Sequence, residues 1–266
     1  MGKLDPTEIA DIFSTAAELA AVARDATLMH FRSAGLSAEN KDTTRFDPVT
    51  VADRLSEDRM RTVLARRRPA DGILGEEFAA LVGTSGLTWV LDPIDGTRSY
   101  LSGSPTWGVL IAVADAAGPI YGIIDQPYIG ERFEGGLGRA EVNGPMGRAV
   151  LKTRAARPLA QAILFTTFPE VGSAAEGLAF QRVAKQARLV RYGIDCYAYG
   201  LIAAGQIDLV IEAALQPYDI QAPIAVIRAA GGIVTNWQGQ DCHMGGQVLA
   251  AANPAIHAEA MALLNL

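Results

Sequence analysis

The chain has 266 residues, half of them hydrophobic, and a formal charge of −6 at pH 7. That composition supplies a substantial core and excludes disorder, and it argues against a general affinity for nucleic acid, whose phosphates are held by clustered Lys and Arg. No apolar run approaches the roughly 18 uncharged residues that span a bilayer, and Asp5 and Glu8 stand where a secretory signal needs its apolar core, so the expectation is a soluble, cytoplasmic protein.

Asp5-Pro6-Thr7-Glu8 is a helix start, with a cap acceptor, Pro at the first helical position and an acid where a capping box places it. Ile9, Ile12, Phe13, Ala16, Leu19, Ala20 and Ala23 then recur at helical spacing and predict a helix to about Phe31. A second helix is expected over about Val51 to Arg67, with Leu55, Val63 and Leu64 inward, stopped by Pro69. Arg66-Arg67-Arg68 reads as the solvated end of that helix, where cations suit the dipole.

From Ile73 to Asp125 the grammar changes to short apolar runs broken by Gly and Pro: Ile73-Leu74, Thr88 to Leu91, Val109 to Ala114 and Ile120 to Ile124, the last two paired around Asp115-Ala116-Ala117-Gly118. After Ala160 strands and helices alternate. Strands are expected at Ile163 to Thr166, Leu189 to Tyr192, Leu209 to Glu212, Ile233 to Asn236 and Val248 to Ala251, and helices near Ala174 to Gln186, Asp195 to Ala204, Asp219 to Ala230 and after Pro254. The pattern implies two tightly packed lobes: 1–150, a largely antiparallel sheet on two helices carrying most candidate ligands, and 151–266, an α/β half. A site between them is the natural expectation.

Trp89-Val90-Leu91-Asp92-Pro93-Ile94-Asp95-Gly96-Thr97 carries the most chemistry. A strand runs into a turn that delivers two carboxylates, and Ile94 between them offers its backbone carbonyl; such hard oxygen ligands suit magnesium. Gly96 permits close approach, and the N–H groups of Gly96 and Thr97 can point at an anion. Gly75-Glu76-Glu77 supplies a further acidic pair, Asp47 to Asp53 places acids at a helix start, and Pro217-Tyr218-Asp219 does so again. Each acid alone reads equally as an ordinary cap or turn residue. If Asp53, Glu76, Asp92, Asp95 and Asp219 converge, their charges require cations, and two or three Mg²⁺ would clamp phosphate oxygens and lower the pKa of a bound water.

Other phosphatase chemistries fit poorly. Neither Cys196 nor Cys242 has Arg six residues on, the pair lacks zinc or redox spacing, and both read as small buried hydrophobes. Three histidines supply a multi-histidine centre poorly, and no P-loop, D-x-D or EF-hand pattern is present.

Taken jointly and in this order, Asp47 to Asp53, Gly75-Glu76-Glu77, Asp92 to Thr97 and Gly205 to Gly232 resemble the inositol monophosphatase family over nearly the whole chain. The resemblance implies a layered αβαβα fold of mixed α/β (α+β) class and a lithium-sensitive, Mg²⁺-dependent monoesterase acting on a small phosphorylated metabolite, commonly as a homodimer. It further implies that Glu76, Asp92, the Ile94 carbonyl, Asp95 and Asp219 hold metal and that Asp53 assists a third, weaker site. Glu76 and Thr97 would orient the attacking water, while Asp95, Gly96 and Thr97 line the phosphate pocket. One departure is Tyr218, where many inositol-type members carry Trp, which puts inositol specificity in doubt.

Thr97 to Tyr100, Pro105 to Gly108, Gly193 to Gly200 and Gln216 to Asp219 look more like the histidinol-phosphate phosphatase branch, active in histidine biosynthesis. Asp195, Glu212 and Asp219 would then contact the organic part of the substrate, where carboxylates suit an ammonium and an imidazole. Two alternatives stay open, an inositol-1-phosphate or broader sugar or nucleotide phosphatase and a non-catalytic metal-binding protein of the same fold. Trp89 reads as core, Trp107 as core or pocket wall, Arg98 as a partner of the carboxylates or an exposed charge, and His243 as a surface residue.

Overall fold

A computed structural model describes residues 4–34, 36–40 and 48–266; Asp47 lies outside them. Helix α1 (Pro6–His30) starts where the sequence places it, the Asp5 side chain accepting from the Glu8 N–H at 2.9 Å. Two short strands, β1 (Ala38–Asn40) and β2 (Pro48–Thr50), precede α2 (Val51–Arg67), whose N-terminus is closed by a capping box of Thr50 and Asp53. Leu55 is only half-buried, and the inward face of α2 holds Ser56, Glu57 and Met60 beside Val63 and Leu64. Of the arginine run, Arg66 is exposed as expected, while the other two are partly buried. Arg67 pairs with Asp11 and Glu18, and Arg68 pairs with Asp11 and Asp71, so the run pins α2 to α1.

Seven strands follow in one sheet: β3 (Gly72–Gly75), β4 (Thr88–Asp95), β5 (Gly108–Asp115), β6 (Gly118–Gln126), β7 (Glu131–Gly136), β8 (Arg139–Gly144) and β9 (Gly147–Val150), ordered as in the chain. Only the β3–β4 pair is parallel. Helix α3 (Thr97–Ser102), less than two turns long, leaves the end of β4. The sequence reading did not anticipate α3, β1, β2 or β7 to β9.

The second sheet is mixed and contains β10 (Ile163–Thr166), β11 (Leu189–Tyr192), β12 (Leu209–Leu215), β13 (Ile233–Thr235) and β14 (Gly246–Ala251), in the order β11-β10-β12-β14-β13. Its helices are α4 (Ala174–Ala184), α5 (Tyr197–Ala203), α6 (Pro217–Ala229) and α7 (Pro254–Leu264). Helix α5 begins two residues later than expected, because Asp195 takes a left-handed φ of 50° and does not cap it.

Alternation along the strands sorts the buried side chains into layers. Trp89, Leu91, Val109, Ile111 and Ile123 face α1 and α2 in one core. Val90, Leu110, Ala112 and Ile124, from the opposite face, meet α5, α6 and the inner face of the second sheet (Val210, Val248, Ala250). Leu164, Leu209, Ile211 and Leu249 cover the outer face against α4 and α7. The result is the five-layer αβαβα sandwich. Helix α6 lies very close to the first sheet: a Cβ on Gly122 would fall 2.6 Å from the Ala222 carbonyl oxygen, and one on Gly135 2.4 Å from Val226 Cα. Among the described residues no helix is long and apolar enough to cross a membrane.

Candidate active site

In a regular strand residues three apart face opposite sides. Asp92 and Asp95 nevertheless act on one side, because the β4–β5 register shifts between them. Pro93 lacks the N–H that a ladder needs, and the Asp92 side chain accepts from the Ile94 N–H at 3.0 Å, so the strand end becomes a bulge followed by a turn. Gly96 continues the turn with φ 85°. No side chain fits there, since a Cβ would lie 2.6 Å from Asp195 Cγ.

Asp219 arrives from the other sheet's side as the third residue of α6, its Oδ2 accepting from the Gln216 N–H at 2.6 Å. Oxygens of Asp92, Asp95 and Asp219 all lie within 4.8 Å of one another. Together with Glu76, the Ile94 residue, Gly96, Thr97, Asp195 and Glu212, they line a single cleft of about 450 Å³. Of the five acids expected to converge, Asp53 stands behind this wall. It is buried, its Oδ2 accepts from the Thr50 N–H and hydroxyl at 2.8 and 2.6 Å, and its Oδ1 lies 3.4 Å from Thr97 Oγ1.

The electrostatics say what the cleft needs. Burial, then the charges of Glu76, Asp95 and Asp219, drive the Asp92 carboxyl well above the usual range. Burial, then Asp195 and Asp219, do the same to Asp95, against the Cys196 N–H that donates to its Oδ1 at 2.6 Å. Asp219 is pushed up to about 7, chiefly by burial. Carboxylates crowded until they favour the neutral form are a donor set that a divalent cation relieves, and all-oxygen donors fit a hard ion such as magnesium.

The two other acids expected to touch substrate are already engaged. Asp195 Oδ2 accepts from Ser99 Oγ at 2.5 Å and Thr106 Oγ1 at 2.9 Å. Glu212 accepts from the Thr167 N–H at 2.9 Å, from the Thr167 hydroxyl, and from the buried Tyr199 hydroxyl at 2.6 Å. Burial pushes the Glu212 carboxyl up despite these bonds. Three of the five described non-glycine residues with left-handed φ (Val171, Asp195, Ala214) line the cleft, so backbone strain concentrates where the acids converge.

Arg98 and Phe168, both in the cleft lining, stack on one another, guanidinium to ring centroid 4.8 Å. Trp107 is core, packed at 4.9 Å centroid distance on Tyr100 and outside the cleft lining. Cys196 and Cys242 are both buried, Trp89 is core, and the half-exposed His243 pairs with Asp241. The sequence reading gave no role to Glu57 and Arg61, which lie against the Glu76 turn, nor to the Tyr199 hydroxyl.

This fold and this cluster define a class, and the chain matches the inositol monophosphatase family over residues 8–265. It belongs to that family and is a phosphoric monoester hydrolase. It is 42% identical over 202 residues to a bifunctional phosphatase, IMPL2, of Arabidopsis thaliana, the match covering 75% of this chain and 57% of that one. A histidinol-phosphatase of Chlorobaculum parvum is 32% identical over 91% of this chain and 92% of its own length. An inositol monophosphatase structure from Zymomonas mobilis superposes with a TM-score of 0.85 at 36% identity, covering 97% of this chain and 98% of that one.

Proposed function

We propose that the chain is a magnesium-dependent phosphatase whose substrate is L-histidinol phosphate. The observation that carries the reading is the convergence of Asp92, Asp95 and Asp219, with Glu76 beside them, in one cleft. Glu76, Asp92, the Ile94 carbonyl, Asp95 and Asp219 would hold the ions, with Asp53 behind them for a weaker one. Bound there, magnesium supplies a Lewis acid for phosphate oxygens and an acidified water.

The chain's own groups set the orientation. An ionised Asp53 only accepts, so the Thr97 hydroxyl donates to it or to the Ile94 carbonyl, 3.2 Å away, and keeps its lone pairs for a proton of the attacking water. Glu76 takes the other position on that water. N–H groups of the first turn of α3 lack helical partners and would face the phosphate with Gly96 and Asp95. Water attacks phosphorus, the ester P–O bond breaks, and the proton that the water gives up ends on the leaving alkoxide oxygen.

Two things support histidinol phosphate. Relatives covering nearly the whole chain carry that activity in their names. The cleft is also acidic beyond the proposed ligands, for Glu212 keeps one of its roughly four acceptor sites and Asp195 Oδ1 accepts no hydrogen bond from the described residues, which suits a cationic leaving group. The second reading, inositol 1-phosphate, is favoured by the Zymomonas neighbour. Cytoplasmic residence, homodimerisation and lithium inhibition belong to the same proposal; light scattering and a LiCl titration check the last two.

The deciding experiment measures kcat/KM for L-histidinol phosphate and myo-inositol 1-phosphate, beside p-nitrophenyl phosphate with Mg²⁺ or EDTA. The expected result is preference for the former and no turnover in EDTA or in Asp92→Asn. Equal ratios remove the substrate assignment, and activity in EDTA removes the mechanism.

A further inference from the structure

Both groups assigned to the attacking water, Glu76 and Thr97, are reached from one helix. Along α2, Asp53, Glu57 and Arg61 stand four residues apart and share a face. Asp53 meets Thr97. One turn on, Glu57 is fully buried, its Oε2 accepts from the Glu77 N–H at 2.7 Å, and its Oε1 accepts from Arg61 Nε at 2.8 Å. Arg61 Nη2 in turn donates to the Phe78 carbonyl at 3.0 Å. The strand end itself is cut to fit: a Cβ on Gly75 would lie 1.9 Å from Glu57 Oε1. Segment 75–78 is thus gripped at Gly75, at the Glu77 N–H and at the Phe78 carbonyl, and Glu76 is the residue between those grips.

A buried carboxylate whose acceptors are matched by one backbone N–H and one guanidinium is costly to place unless both donors are present. Arg61 balances its charge, so Glu57 fixes the turn without joining the repulsion among the cleft acids. We infer that Glu57, locked by Arg61, is the positioning residue for Glu76, setting its carboxylate at the distance from Thr97 that metal binding and water orientation require. The inference rests on the metal-assisted reading above. Glu57 is not among the residues that line the cleft.

The test is Glu57→Gln, nearly isosteric. A Gln oxygen can accept from Glu77 or from Arg61, but its NH₂ then faces the other donor, and the grip opens. The expected outcome is a rise of about 10- to 100-fold in the Mg²⁺ concentration for half-maximal p-nitrophenyl phosphate hydrolysis. Mn²⁺ binding to the substrate-free protein, read by electron paramagnetic resonance, weakens in parallel, while KM at saturating Mg²⁺ moves less than about twofold. Unchanged Mn²⁺ binding and Mg²⁺ requirement in a folded Glu57→Gln overturn the inference. Should that variant fail to fold, Arg61→Lys, which loses the bridge to the Phe78 carbonyl, is read the same way, and an unchanged Mn²⁺ affinity there overturns it. A wild-type protein indifferent to metal instead defeats the underlying reading.

Discussion

At the scale of single residues, the cleft acids bind protons that the unfolded chain would release. Burial pushes the Asp219 carboxyl up to about 7 in the folded chain, against an ordinary 3.8, and Asp92 and Asp95 are raised as well. A raised carboxyl means the folded state holds more protons than the unfolded one between the two values, so stability falls as pH climbs through that window. His257, held below 6.5 by burial, works the other way only up to about that pH. The metal-free protein is therefore expected to melt at lower temperature at pH 8 than at pH 6.5 in calorimetry with EDTA, and Asp92→Asn should flatten the dependence. A melting temperature that climbs over this interval would show that some other cation already balances the cluster. These residues were legible only as a set: each follows a short strand or opens a helix, where an acid alone serves equally as a cap or turn residue. Glu57 was not legible: with Arg61 at i+4 it has the spacing of a solvated helical ion pair, and only its burial against Gly75 shows otherwise.

Among the elements, α6 matters most, since it carries Asp219 and rests directly on the first sheet through Gly122 and Gly135. Gly135→Ala puts a methyl into the backbone of α6, which must lift. The expected cost is about 1 to 3 kcal/mol in denaturant unfolding, typical of overpacking, with a loss of activity from the shifted carboxylate. An unchanged unfolding midpoint would mean the helix relaxes freely. Helix starts were readable because caps and N-terminal prolines have fixed chemistry, as at Asp5-Pro6 and Asn253-Pro254. The strands between Glu131 and Val150 were not, because β9 is exposed along its length and β7 buries only Phe133 and Gly135, leaving no apolar alternation. Helix α3, six residues long, is too short to show a helical period.

For the whole molecule, metal and fold should be coupled, since the ligand set joins the end of β4 to the start of α6. An ion that binds only the folded state adds about 2.7 kcal/mol at one hundred times its dissociation constant. Titrating Mg²⁺ at pH 7.5 is expected to raise the melting temperature of the wild type, and Asp219→Asn should lose most of that gain; equal gains would place the ion elsewhere. The layer of α5 and α6 also bears on how the enzyme can move. Both sheets press on it, one from each side, so the two halves cannot swing apart like a jaw without tearing it from one of them. With the halves held in this way, an ester bulkier than the cleft is expected to enter only if lining side chains such as the stacked Arg98 and Phe168 move.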